Sequence, residues 1–342
     1  MSLSIDICTN PAEWDAYVHA SPLASNYHLW RWKQVIEDTY GHSTHYLVAT
    51  ESGRIQGVLP LVGMKSWFFG HFLVSLPFFN YGGMLAETQE ARIGLLAKAV
   101  ELAKDAGAQH IELRQGAPSE LSWQEVSAKV AMVVHLPEKA EELWGKLSSR
   151  LRNKIRNSRK HGFEVSWGGS EQVSRLYSVF AANMRNLGTP VYPRAWFENV
   201  CRACREDVRI LTLSQGGRAV AATLAIKFRD FLELPWIASL PDERKQYSTV
   251  LLYWIALEWG IQNGFRRVDL GRCTPGGGVY QFKRQWGCEE IALHWYYWLA
   301  PGMQVPHLRP DNPRYRLAVR LWQKLPLGVA NWLGPRIVRS IP

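Results

Sequence analysis

The chain of 342 residues has no run of about 18 apolar residues, so no segment is expected to span a membrane. Its opening, MSLSIDICTN, lacks the charged and apolar regions of a secretory signal, and a cytoplasmic protein is expected. Cysteine is scarce, with five residues at Cys8, Cys201, Cys204, Cys273 and Cys288. An odd, scattered set excludes a disulfide framework and fits a reducing compartment. Cys201 and Cys204 form one CxxC, but no second pair and no histidine pair follows at zinc spacing. They read as buried or half-buried thiols on a helix, with no metal expected. None of the ten histidines pairs with Ser or Cys in a nucleophile motif, which argues against a covalent acyl-enzyme. Acidic residues are in deficit, 30 against 40 Lys and Arg, giving a net charge of +10. That excess points to an anionic partner: nucleic acid, a nucleotide-linked substrate or a membrane surface. A hydrophobic share of 47% excludes a disordered chain, and sixteen Trp call for extensive burial.

What is present is a chain that resembles itself. LPFF (76–79) leads to a helical stretch around Leu95, Leu96 and Ala99, a break at Gly107, and the strand Ile111-Glu112-Leu113. LPWI (234–237) leads likewise to Leu251, Leu252 and Ile255, a break at Gly264, and Val268-Asp269-Leu270. The offsets run from 156 to 158, and upstream GRIQG (53–57) matches GRAVA (217–221). Ordered matches at a near-constant step point to duplication, with 45–115 and 208–272 as the two copies. Period-2 stretches such as HYLVAT and RILTLS are strands, so each copy is antiparallel strands, a helix and a crossover strand. The fold class expected is α/β with mixed, mostly antiparallel sheets.

Between the copies, Leu143, Leu147, Leu151 and Ile155 recur at spacing four, the apolar stripe of one docked helix. Lys146, Arg150 and Lys154 border one side of that stripe; Arg152, Arg156 and Lys160 border the other. Seven basic residues between 146 and 160 meet no acidic one. They form either a solvated face or a cradle for the phosphates of a donor, an acceptor or RNA.

Several stretches resemble FemAB-like acyltransferases: RLRNKIRNSRKHGFEV, MRNLGTPVYPRAWFENV, and above all DLGR followed by YQFKRQWG. The pattern is similar to FemAB-related proteins associated with the PEP-CTERM/exosortase system of exopolysaccharide clusters. The resemblance implies tandem acetyltransferase-like (GNAT-type) domains and acyl or aminoacyl transfer to an amine of an envelope or polysaccharide precursor. The domains expected are 1–140, a basic linker helix 141–162, a second domain 163–300, and a basic amphipathic extension 301–342. Two departures stand out. The Gly-rich nucleotide cradle of acetyl-CoA enzymes is replaced by PDERKQYS, with Tyr247 in place of the first Gly. The coiled-coil arm of some aminoacyl-tRNA-using members is absent. No cofactor is expected to be tightly bound; acyl-CoA or aminoacyl-tRNA would be the co-substrate.

Acyl transfer to an amine needs donors aimed at a tetrahedral oxyanion and a route for the amine proton. Lys283 is the candidate for the first: if 280–286 is extended, it projects from the polar face beside the Gly276-Gly277-Gly278 loop. Asp269 is a candidate base or a structural partner of Arg266 and Arg267, and Glu233 is the other strand carboxylate. Arg150, Arg152, Lys154, Arg156, Arg244, Lys245 and Arg272 are candidate donor or phosphate ligands, with Ser248 or Thr249 as the alternative helix cap. Arg185, Tyr280 and Trp286 are candidate acceptor contacts; for Arg185 the role comes from the resemblance. The partners expected are a nucleotide-linked or lipid-linked sugar precursor, tRNA, and an anionic inner membrane face touched by the C-terminal segment. An aminoacyl-tRNA-dependent peptidoglycan peptidyltransferase and a non-catalytic nucleic-acid or anionic-lipid binding module are the alternatives.

Overall fold

The computed structural model describes residues 3–66, 70–306 and 313–341, with the side chains of Arg244 and of 313–315 outside that description. The chain divides into two compact units. Unit 1 holds Met1–Ala128, Ala292–Leu308 and Arg339–Pro342; unit 2 holds Lys129–Ile291 and Arg309–Val338.

Unit 1 begins with β1 (Ser4–Ile7), α1 (Pro11–Ala20), α2 (Arg31–Tyr40), β2 (Ser43–Glu51), β3 (Arg54–Ser66) and β4 (Gly70–Val74). It continues with β5 (Leu85–Ala86), α3 (Gln89–Asp105), β6 (His110–Gln115) and β7 (Gln124–Val126). Unit 2 then opens with β8 (Val130–His135), α4 (Ala140–Lys146), α5 (Ser149–Arg159) and β9 (Glu164–Gly168). Next come α6 (Val173–Leu187), α7 (Arg194–Cys204), β10 (Val208–Gln215), β11 (Arg218–Phe228), β12 (Phe231–Ser239) and α8 (Ser248–Gln262). The run ends with β13 (Arg267–Cys273), α9 (Gly278–Arg284) and β14 (Glu289–Ala292). The chain returns to unit 1 as β15 (His294–Leu299) and to unit 2 as α10 (Pro313–Gln323) and α11 (Leu327–Val338).

The first sheet runs β1-β2-β3-β4-β6-β15-β7, with β5 on β3; the second runs β14-β8-β13-β12-β11-β10-β9. The two copies have one plan. In each, three strands meander antiparallel and a helix crosses over. The returning strand then pairs parallel, β4 with β6 and β12 with β13. The duplication and the mostly antiparallel mixed sheets are therefore as expected. Both first hairpins turn through consecutive residues at positive φ, Ser52-Gly53 and Gly216-Gly217, which suits the twist of a tight hairpin. Thr88 caps α3 by accepting the Ala91 N–H, and Ala91, Leu95, Ala99 and Ala103 are its buried stripe.

One part of the repeat is out of step. LPWI lies inside β12, whereas LPFF lies just past the end of β4. Leu73 stands opposite Ile111 and Leu232 opposite Val268, so the strands align one residue away from the LP match.

The boundaries also differ from those expected. Strand β8 hydrogen-bonds β13 over Val130–His135, which draws the start of unit 2 back to Lys129 instead of 141. Strand β15 pairs β6 from His294 to Leu299, which takes those residues out of the second domain. The basic segment is two helices inside unit 2. Leu147 and Ser148 leave the helical region, and the Ser148 hydroxyl accepts the Leu151 N–H at 3.2 Å to start α5. Leu143, Leu147, Leu151 and Ile155 are all buried in one cluster with α8, so the stripe docks as read. Of the expected extension, 307–312 lie outside the described residues, and 313–338 pack as α10 and α11 in unit 2. No helix among the described residues is long and apolar enough to cross a membrane.

Candidate active site

In unit 2, β12 and β13 run side by side for three residue pairs, ending at Glu233 and Asp269, and then part. Two irregularities separate them. Strand β12 carries one extra residue just after Glu233, since Ile226 faces Glu233 but Leu224 faces Trp236. The pairing of β13 with β8 slips after Asp269, where Gly271 sits at φ +83. Alternation sends Leu232, Val268 and Leu270 into the core against α8, so Glu233 and Asp269 share the opposite face. Both carboxylates are buried, at 3% and 2% exposure. Asp269 accepts the Gly271 N–H at 2.7 Å. Arg267, at the solvent-exposed start of β13, bonds Asp230 at 3.3 Å.

Lys283 lies beside this opening, in a different conformation from the one expected. Residues 278–284 form helix α9, not a strand. The turn that follows α9 brings the Trp286 N–H to the Lys283 carbonyl at 3.0 Å, and both side chains are buried. The Lys283 ammonium donates to Gly271 O at 2.7 Å and to Arg272 O at 3.1 Å. A Cβ added to Gly271 would lie 3.5 Å from Lys283 Nζ and 3.8 Å from Leu234 O, which puts the ammonium where β12 and β13 separate. Burial pulls the Lys283 pKa below the ordinary lysine value, and the Asp269 carboxylate opposes that fall. Trp286 stacks on Tyr253 in the core and is 1% exposed, so it has no face to offer an acceptor. Tyr280 is half-buried and donates to Glu290 Oε1 at 2.6 Å. Arg284 is exposed and lies over the Tyr280 ring.

The expected donor residues gather only in part. Tyr247, at φ +58, takes the left-handed position before α8 that a glycine would fill, and it makes no side-chain cap. Neither Ser248 nor Thr249 is the cap: Ser248 Oγ donates to Glu243 O at 3.1 Å, and the Thr249 hydroxyl meets that of Ser239 at 2.5 Å. Lys154 reaches this turn from α5, its ammonium 5.9 Å from the centre of the Tyr247 ring. Lys245 is exposed on the same turn, and the side chain of Arg244 lies outside the described residues. Arg156 lies about 200° around α5 from Lys154 and stacks over Trp144. Arg150 flanks the docked stripe on the Lys154 side and Arg152 on the Arg156 side, so the four do not converge on one anion. Arg272 is exposed on β13. Arg185, near the end of α6, donates to Gln323 O at 3.3 Å and so ties down the last turn of α10. Cys201 and Cys204 are buried on α7, and burial pushes the Cys201 thiol up to about 12.

The equivalent place in unit 1 is stoppered. The strand HIELRQ (110–115) corresponds to RVDLGR (267–272), which sets Glu112 against Asp269 and Arg114 against Gly271. Arg114 is buried, bonds Glu112 at 2.6 Å, and donates to Phe79 O at 2.6 Å in the loop that follows β4. Its guanidinium also lies over the Trp295 ring at 4.4 Å. The arginine thus occupies, in unit 1, the level where unit 2 has a glycine and an incoming lysine. The pairing of Glu233 with Asp269, the nearby Tyr253 and this stopper were not picked out from the sequence. The parallel register of the two copies is the signal that could have found them.

Residues 145–284 match the sequence profile of the Acetyltransferase (GNAT) domain. No curated protein sequence matches the chain. Among solved structures, FemX is similar over 93% of this chain and all of its own, at 14% identity and a TM-score of 0.66. The C-terminal domain of a putative lysylphosphatidylglycerol synthetase from Agrobacterium fabrum covers 84% of this chain and 90% of its own, at 15% identity and a TM-score of 0.59. A tandem GNAT protein from the clavulanic acid biosynthesis pathway covers 87% and 98%, at 12% identity and a TM-score of 0.55. The chain therefore has the fold shared by FemX and the tandem GNAT protein. The matched domain lies within unit 2.

Proposed function

We propose that this GNAT-type acyltransferase N-acylates an amine of an exopolysaccharide or cell-envelope precursor, as its resemblance to PEP-CTERM/exosortase-associated FemAB-like proteins implies, with an acyl-CoA-type donor. One observation carries the reading: the Lys283 ammonium stands at the parting of β12 and β13, within electrostatic reach of the buried Asp269 carboxylate, which pairs in register with the buried Glu233. The amine lone pair would attack the acyl carbonyl carbon, forming the C–N bond and breaking the C–S bond. Two of the three ammonium hydrogens of Lys283 bind backbone carbonyls, and the third would donate to the oxyanion. The amine proton would pass to Asp269 or Glu233, and the pair leaves the carbonyl as thiolate. The open N-terminus of α8, with Lys154 beside it, would receive the donor's phosphates. The acceptor is a nucleotide-linked or lipid-linked amino sugar.

A second reading is aminoacyl transfer from tRNA to a peptidoglycan precursor. Tyr247 in place of the cradle glycine supports it, since a bulky ring narrows the space for a pyrophosphate, and the exposed basic residues of α5 suit an RNA backbone. Thiol release from acyl-CoA in the presence of amino-sugar acceptors tests the first. Lys283→Ala should lower that turnover by about 10²–10³ with the fold intact. Near-wild-type turnover would reject the assignment. RNase-sensitive nucleic acid in the purified protein, with no thiol release, would transfer the proposal to tRNA.

A further inference from the structure

The C-terminal helices of unit 2 are built with their apolar residues reversed. Helix α11 docks through its small residues: Ala330, Gly334 and Val338 are buried, and a Cβ on Gly334 would come within 2.8 Å of Val191 N. Its larger apolar residues face outward, with Trp332 at 60% exposure and Val329 and Ile337 also exposed. A surface helix ordinarily does the opposite. Helix α10 repeats the arrangement. Val319 presses on Gly188 and Trp322 is half-buried, while Leu317 and Leu321, one turn apart, are each 58% exposed.

The charged residues on and between α10 and α11 have one sign. Arg316, Arg320 and Lys324 are exposed and make no ion pair among the described residues. Arg336 lies over the Trp332 ring at 4.2 Å. After Asp311 the sequence holds six basic residues and no acidic one. An outward leucine pair and a tryptophan, on a segment whose only charged residues are arginine and lysine, match a bilayer interface with anionic headgroups: apolar residues enter the acyl boundary and cations meet phosphate. A nucleic acid would use the charges but leave the leucines in water. A second copy of this chain would bring the same positive charge against itself.

We propose that α10 and α11 form a docking surface for an anionic membrane, which holds the protein at the lipid surface without crossing it. The proposal is independent of which donor and acceptor the active site uses. The test is flotation of the full chain with vesicles of phosphatidylcholine alone and of phosphatidylcholine with phosphatidylglycerol, at low and high salt. Binding should require phosphatidylglycerol and weaken with salt. Each basic side chain near an anionic surface strengthens binding about fivefold, so R316Q/R320Q/K324Q should weaken it about 100-fold. Leu317→Ser with Leu321→Ser and Trp332→Ser should weaken it comparably; these side chains are mostly exposed, so circular dichroism should stay unchanged. Absence of flotation at low salt, equal flotation on neutral vesicles, or indifference to both variant sets would overturn the proposal. So would self-association, seen in sedimentation without vesicle binding and abolished by the serine variant, which would assign the face to a second copy.

Discussion

A single residue, Lys283, joins two features that are separate in the sequence: its ammonium bonds the Gly271 carbonyl, and its own carbonyl accepts the N–H of Trp286, which stacks on Tyr253 in the core. Its role sets a pH dependence. If the protonated form donates to the oxyanion, turnover should fall on the alkaline side, with an apparent pKa below the ordinary lysine value of 10.5, because burial disfavours the charge. Lys283→Arg, which keeps its proton, should remove that fall from a pH–rate profile even if it lowers the maximum. A second buried group sets a stability dependence. His28 takes the Ser25 N–H on Nδ1, and burial lowers its pKa from 6.5 to about 4. The unfolded chain therefore binds the extra proton between those values. The stabilisation is complete above pH 6.5 and is lost as pH falls to 4, by about 3 kcal/mol. Urea unfolding across that window should show the slope, and His28→Gln should flatten it.

At the scale of elements, the break between α4 and α5 depends on one hydroxyl. Ser148→Ala should cost about 1 kcal/mol in unfolding experiments by leaving the Leu151 N–H without its acceptor, while Ser148→Asp should retain most of the stability. This break also marks what could be read from the sequence. The stripe from Leu143 to Ile155 was legible because burial at every fourth residue leaves a pattern, whichever way the helix is interrupted. The interruption was not, since a serine amid basic residues gives no apolar signal. The repeat of strands and helix was legible for the same reason, through periodicity. The segment 278–284 misled: Tyr280, Phe282 and Trp286 alternate as on a strand. Tertiary contacts decide there, through Trp286 on Tyr253 and Lys283 on the β13 carbonyls. Lys283 and Asp269 were legible as residues, but their meeting was not, because it depends on where two strands separate.

For the whole molecule, the exchange of strands matters most. Strand β15 joins β6 to β7 in the first sheet, yet it follows all but two helices of unit 2 in the sequence. A fragment ending at residue 128 would lack it and leave the apolar edge of β6 unpaired. That fragment should aggregate when expressed alone. Expressed with 292–308 joined through a flexible linker, it should be soluble and show cooperative thermal unfolding. Solubility and cooperative unfolding of the bare fragment would mean that β15 is dispensable.

The same strand places a clock on biosynthesis. On the ribosome, β6 emerges roughly 180 residues before β15, a wait of roughly 10–40 s at ordinary elongation rates. For that interval the nascent first unit has an open sheet edge, the state in which holdase chaperones bind and in which neighbouring polysomal chains can pair in error. Synonymous codon changes that slow translation between 128 and 294 should therefore lower soluble yield without altering a single residue.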